Sequence, residues 1–334
     1  MVLSQLEASA STTTMLLDGF SMDNLLWDKL EWEKNPPSAE WDHALARLNG
    51  HPLQSCLWGD ARRDLDGIAQ QRWLARQDGA PLWMIRVEER KVLGGKIAWS
   101  PRGPTARTVD LTLSVPPGFE KQLKAEGFSL LIMDPWIRVG ESLTVDVPHG
   151  TRRLPQTIWL DLSVGTDAIY ANFHTQMRKG VQRAKRGGIR VETTCDPGRI
   201  VEFIALCKSV SQKKGFELRA TSAFIDALLR MSERSNGAEA AQFVSLKGDM
   251  LASGLFVIRV GRNVHQIWGA TNRDMRRDRV GEACQWGVIE WAIGRGCTRY
   301  DLEGIDRINN PSVYEFKKRL GGVEITLHGH LLAA

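Results

Sequence analysis

Cations at helical spacing are the first residues in this chain whose types and positions could do chemistry. In the segment FHTQMRKGVQRAKRGGIRV, from Phe173 to Val191, Arg178, Lys179, Arg183, Lys185 and Arg186 share one arc of a helix. Ile169, Phe173, Met177, Val181 and Ala184 recur at spacings of three and four on the other arc and predict a core face, with Thr166 as N-cap and Gly187-Gly188 as the stop. A second cluster, Arg273, Arg276, Arg277 and Arg279, occupies a loop leading into a helix that starts near Gly281, where backbone amides also point outward. Either cluster alone fits a solvated face; two in one domain point to a polyanion.

Asp134 closes the apolar run Ile132-Met133-Asp134-Pro135. A carboxylate there can hold an ammonium or take its proton, or it can cap the turn before Pro135. No His and carboxylate pair stands out for general-base work, so His174 and His265 read as structural. The five cysteines never form a CxxC pair, which argues against a disulfide framework and a zinc site and leaves reduced thiols. No metal is expected.

The elements that must position these groups fall into two α/β blocks. Residues 1–37 are Ser/Thr-rich, then acidic and Trp-bearing, and end in the turn Asn35-Pro36-Pro37, as an appended arm would. The first block predicts helices over Asp42 to Leu48 and Leu57 to Gln77, strands over Leu82 to Val87 and Lys96 to Trp99, a helix over Pro117 to Glu126 and a strand over Ser129 to Met133. The second predicts a strand over Ile158 to Leu162, the basic helix, a strand over Ile189 to Thr193, and helices over Pro197 to Lys213 and Ser222 to Ser235. Strands over Gln242 to Leu246, Leu251 to Val260 and Val264 to Ala270 follow, then a helix over Gly281 to Arg295 and a strand over Arg299 to Leu302. The similar order suggests structural duplication, although no sequence repeat is visible.

At 334 residues the chain has room for two domains of about 100 to 200 residues each. Hydrophobic residues at 43% and charged residues at 25% exclude disorder as the dominant state. A net charge of +5 permits a polyanionic partner without demanding one. The N-terminal segment lacks early Lys or Arg and its apolar pairs are too short for a signal core or a membrane span, so a cytoplasmic protein without stable membrane insertion is expected.

Several ordered motifs carry a family resemblance. They are His51-Pro52-Leu53-Gln54-Ser55 with Trp58, the turn Ser100-Pro101-Arg102-Gly103-Pro104, the helix from Phe173 to Ala184, Lys214-Gly215-Phe216, Trp268-Gly269-Ala270, Tyr300-Asp301-Leu302-Glu303-Gly304-Ile305, and Phe316-Lys317-Lys318-Arg319-Leu320-Gly321-Gly322. Together, over residues 51–322, the chain resembles the Fem family of non-ribosomal peptidyltransferases. The resemblance implies an α/β (α+β) fold of two interlocked acetyltransferase-like domains, with mixed sheets flanked by helices and no coiled-coil arm. The expected division is residues 38–153 with 303–334 as the acceptor-side domain and 154–302 as the tRNA-side domain.

The implied reaction moves an amino acid from aminoacyl-tRNA, a co-substrate in place of any cofactor, to an amine acceptor. The acceptor is a peptidoglycan precursor or a small peptide or amine of a specialised pathway, and the enzyme is expected to act as a monomer. Lys317, preceded by Phe316, matches the family's functional lysine, and Asp134 is expected to bind the acceptor first and act as a base second. Arg62 stands where a diphosphate-holding lysine is usual and Arg219 matches a second phosphate-binding arginine; Arg102 joins them on the acceptor side. Phe224 and Trp268 replace expected phenols, which departs from the pattern for the standard cell-wall precursor. Charged tRNA is expected on Arg178, Lys179, Arg183, Lys185, Arg186, Arg276, Arg277 and Arg279.

Two other readings remain. An acyl-CoA transferase wants Arg or Gln, two residues, Gly, one residue, then Gly or Ala; Gly281 and Ala283 fit, but Asp278 takes the basic position and repels pyrophosphate. A non-catalytic tRNA- or wall-binding module would tolerate an inert Lys317.

Overall fold

The described strands form two seven-stranded sheets, each built mostly from one block of the chain. The structure, a computed structural model, describes residue 27 and residues 29–93, 95–142, 154–215 and 217–333. Phe216 of the Lys214-Gly215-Phe216 motif lies outside the described residues, as does most of the predicted arm.

In chain order the first elements are β1 (Glu31–Lys34), α1 (Ser38–Arg47), α2 (Cys56–Asp66), β2 (Gln70–Gln77), β3 (Ala80–Val92), β4 (Gly95–Arg102), β5 (Thr105–Ala106), α3 (Val109–Thr112), α4 (Phe119–Ala125) and β6 (Phe128–Pro135). Then come β7 (Gln156–Asp161), α5 (Thr166–Asn172), α6 (Thr175–Arg186), β8 (Arg190–Thr193), α7 (Pro197–Lys214), α8 (Ser222–Ser232), β9 (Ala238–Lys247), β10 (Met250–Val260) and β11 (Asn263–Thr271). A 3-10 turn (Arg273–Asp278), α9 (Val280–Gly294), β12 (Arg299–Asp301), α10 (Pro311–Lys318), β13 (Val323–Thr326) and β14 (Leu331–Ala333) complete the chain.

The first sheet runs β1-β2-β3-β4-β6-β14, with β5 on β3, and the second runs β13-β7-β12-β11-β10-β9-β8. Among the described residues each sheet has one parallel pair, β4 with β6 and β11 with β12. Parallel neighbours need a crossover, which α4 supplies in one sheet and α9 in the other. This shared arrangement is the structural duplication suggested by element order. Trp73, Trp83 and Phe119 lie in the first core, and Phe173, Met177, Val288 and Tyr300 in the second.

The division of the chain differs from the expected one. The first unit holds the segment ending at Pro37, Gly67–Leu154 and the segment from Leu327 on; the second holds Ser38–Asp66 and Pro155–Thr326. Helix α1 is tied into the second unit by the buried carboxylate of Asp42, which accepts from the Cys56 amide at 2.7 Å and the Ser235 hydroxyl at 2.8 Å. Gly237 makes that approach possible, because a Cβ there would fall 2.2 Å from the Asp42 carbonyl oxygen. Of the C-terminal strands, β13 pairs with β7 in the second sheet and only β14 joins the first, on β6.

Two predicted helices are broken. The span Leu57 to Gln77 is α2 followed by β2, with left-handed Gly67 just after the helix. The basic helix is two helices, α5 and α6, because Phe173 and His174 take extended backbone. The imidazole Nδ1 of His174 caps α6 by accepting from the Gln176 amide at 3.2 Å. The cap of α5 is Gly165 instead of Thr166. The expected glycine stop stands, with Gly188 left-handed.

Candidate active site

Lys317 sits in the last turn of α10, a position where a cation is favoured by the helix dipole, and is only 7% exposed. Its ammonium donates to the carbonyls of Glu303 and Gly304, each at 2.9 Å. Two backbone carbonyls that converge on one ammonium set its direction. Phe316 packs against the core of the second unit, its ring near the start of α9 at Gly281.

The carbonyls that hold Lys317 belong to a segment anchored by a histidine clamp. Oε1 of Glu303 lies 2.9 Å from Nε2 of His51 and 2.8 Å from Nδ1 of His265. His51 uses its Nδ1 to accept from the Leu53 amide, which puts its proton on Nε2 and makes it a donor to Glu303. Such a donor cannot ligate a metal through the same atom, and separations below 3 Å are those of hydrogen bonds, so the geometry favours a clamp over a metal centre. Burial by itself would raise the Glu303 carboxyl, but the two imidazoles outweigh it and hold the group well below the usual carboxylate range. Its neighbour Asp301 moves the other way, raised by burial and then by the charge of Glu303. Asp301 accepts from the Thr157 hydroxyl, from the Glu303 amide at 2.7 Å and from the Trp159 indole at 2.8 Å.

Of the expected acceptor residues, some come together. On α2, Trp58 stacks on Trp268 with ring centroids 5.8 Å apart, and Phe224 meets both edge-on at 5.2 and 6.0 Å. Arg62, one turn after Trp58, pairs with Asp66. Arg219 stays exposed, with Glu217 at 4.0 Å. In the first unit Arg102 and Asp134, read separately in the sequence, form an ion pair at 3.4 Å. The register of β4 on β6 brings them together, and Asp134 therefore lies within a strand instead of capping a turn. Its Oδ1 is buried and has no hydrogen-bond partner among the described residues.

The two basic clusters are neighbours, since α6 packs against both the 3-10 turn and α9. Lys179, Arg183, Lys185, Arg186, Arg276 and Arg277 are exposed. Arg178 is engaged otherwise: its guanidinium donates to the carbonyls of Ala171 and Phe173 and the hydroxyl of Thr175, sealing the break between α5 and α6. Arg279 pairs with Glu282 at 3.0 Å. Just before α9, Asp278 pairs with Lys247 at 2.8 Å, and Glu282, in the first turn of α9, fills the space over Gly180 of α6.

Residues 171–318, all in the second unit, match the family model described as an acetyltransferase (GNAT) domain. No curated protein matches the sequence. Among solved structures, FemX superposes with a TM-score of 0.76 at 16% identity, over 90% of this chain and 96% of FemX. The chain has the two-domain fold of FemX. The FemX-like architecture extends to a tandem GNAT protein from the clavulanic acid biosynthesis pathway, at TM-score 0.52 and 15% identity over 91% of this chain and 98% of that one. L-PGS from Bacillus licheniformis superposes at 0.56 and 14% identity over 89% and 91%. Within this FemX-like frame the sequence reading missed the roles of His51 and Glu303, although both stand in motifs it had singled out. It took His265 as structural without its partner.

Proposed function

We propose that the protein is an aminoacyltransferase that moves an amino acid from aminoacyl-tRNA to an amine acceptor, forming an amide bond. The observation that carries this is the buried Lys317 ammonium, aimed by two backbone carbonyls at 2.9 Å each. The ester of charged tRNA is already activated, so the reaction needs a neutral amine, a stabilised oxyanion and departure of the ribose hydroxyl. The acceptor nitrogen attacks the ester carbonyl, Lys317 stabilises the oxyanion or the leaving ribose oxygen, and collapse releases the tRNA hydroxyl. Asp134 serves the acceptor: an ammonium would supply the partner its buried Oδ1 lacks, and the carboxylate can take the proton that frees the amine. Phe316 seats α10 and with it the lysine.

Exposed cations on α6 and the 3-10 turn are the proposed tRNA surface, without Arg178, whose donors are occupied within the fold. Arg62, Arg219 and Arg102 are proposed to meet anionic groups on the acceptor. Phe224 and Trp268 offer no phenol hydroxyl, which favours a small peptide or amine over a cell-wall nucleotide. The acyl-CoA reading is disfavoured by Asp278, which stands where a cation would meet the pyrophosphate, and by Glu282 in the first turn of α9, although Lys247 and Arg279 pair with them at 2.8 and 3.0 Å. Among the described residues no helix is long and apolar enough to cross a membrane. We place the reaction in the cytoplasm, where charged tRNA is available, and in a monomer. Incubation with a charged tRNA pool and candidate amine acceptors should give RNase-sensitive transfer of label; transfer from acyl-CoA instead would refute the reading.

A further inference from the structure

We infer that His51, Glu303 and His265 form a positioning clamp that sets the direction of the Lys317 ammonium. The clamp deepens the proposed reaction and rests on that reading for its use, but its hold on Lys317 can be measured without it. Glu303 is a non-glycine residue at φ 57°, a left-handed conformation that crowds its Cβ against the backbone. Strained backbone of this kind persists only where its surroundings over-determine it. Here they do so from four sides. His51 stands at the start of a 3-10 turn, with its imidazole fixed by the Leu53 amide; His265 lies on β11 and is fully buried; the Glu303 amide is tied to Asp301; and Asp301 is tied to β7 through Thr157 and Trp159.

Two donors converge on one carboxylate oxygen, 2.9 and 2.8 Å away, and fix the side chain of Glu303. The side chain in turn fixes the peptide whose carbonyls receive Nζ. The backbone carbonyl of Glu303 receives the ammonium, so its side chain acts through the lysine. A catalytic group must be held to within fractions of an ångström, and a 1 Å displacement can cost about a hundredfold in rate. His51 and Glu303 are 252 residues apart in sequence, so the device exists only once the second unit has folded.

The test uses the full-length protein and Glu303→Gly, which relieves the left-handed backbone while deleting the clamp. Acetic anhydride labelling read by mass spectrometry, with Lys179 and Lys318 as internal references, should show Lys317 reacting at least about tenfold faster in the variant, as its burial and orientation are lost. Unchanged labelling overturns the clamp. In single-turnover transfer from charged tRNA, kcat should fall about ten- to hundredfold with both KM values unchanged. Lys317→Met combined with Glu303→Gly should be no slower than Lys317→Met alone, because both remove the same contribution. An additive loss would mean a general structural role and overturn the inference. Faster labelling in a protein that never transfers from charged tRNA supports the clamp and refutes the function on which its use rests. If Glu303→Gly does not fold, His265→Asn and His265→Val give the same comparison: Asn keeps a donor near the position of Nδ1 and should retain the slow labelling, Val should lose it, and equal rates overturn the inference.

Discussion

Lys317→Met removes the ammonium and keeps much of the apolar stem, which separates electrostatics from packing. Because Lys317 is 7% exposed and held between two backbone carbonyls, its charge acts where water screens poorly. Loss of one donor to a developing oxyanion typically costs about 2.7 to 4 kcal/mol, a hundred- to thousandfold in kcat. The same substitution strands two acceptors. Gly304 is exposed, so water can replace the ammonium there; the Glu303 carbonyl is less open, and its stranding should cost roughly 1 to 3 kcal/mol of stability. Urea unfolding therefore has to accompany the rate measurement, so that only folded enzyme is counted. The assay is single-turnover transfer from preloaded charged tRNA at saturating acceptor. A folded Lys317→Met protein that transfers at the wild-type rate would remove Lys317 from the mechanism and leave Asp134 or the substrate itself to carry it.

Reversing two exposed cations, Arg183→Glu with Arg186→Glu, should weaken charged-tRNA binding and flatten its log-log salt dependence by roughly 0.7 to 0.9 per lost phosphate contact; unchanged affinity would sink the proposed surface. Arg178→Ala should instead lower the unfolding midpoint, because that side chain caps the α5–α6 break, and an unaltered midpoint would contradict this assignment. Arg62→Ala should raise the acceptor KM by about one to two orders of magnitude and leave tRNA binding alone, as expected for a charge-assisted contact; a change confined to tRNA affinity would mean the wrong substrate was assigned. For pH, the groups that face Glu303 are His51, His265 and Asp301, with the Lys317 ammonium on its backbone. Its carboxyl, held below the ordinary 4.5, stabilises the fold above that pH, and this is lost as pH falls through the lower folded value, where the unfolded chain binds the proton first. Glu303→Gln should flatten the acid limb of a urea-midpoint profile below pH 4.5, against Asp301, whose raised carboxyl has the opposite sign; an identical limb would refute the clamp's electrostatics.

What the chain determined locally was readable in its residues. Apolar spacing of three and four marked the buried face of α6 through Met177 and Ala184, the glycine pair marked its end, and strands such as β6 and β10 were visible as apolar runs between turns. The break at Phe173 and His174 escaped because both residues preserve the helical spacing while the backbone turns away; only the capping imidazole marked it locally. Gly67 was a comparable local mark between α2 and β2. Neither periodicity nor capping can say which sheet a helix will cover. That is why α1 and α2, expected in the first domain, fall with the second unit: their apolar faces are visible in sequence, but the bond from Ser235 to Asp42 spans 193 positions. The site divides in the same way. Lys317 and Asp134 could be singled out as candidates from their motifs, whereas the ion pair of Asp134 with Arg102 depends on strand register and the grip of His51 and His265 on Glu303 depends on long-range packing. Local sequence specifies backbone geometry one turn at a time; the convergence of distant side chains on one carboxylate is set by the burial of the whole core, which no short segment contains.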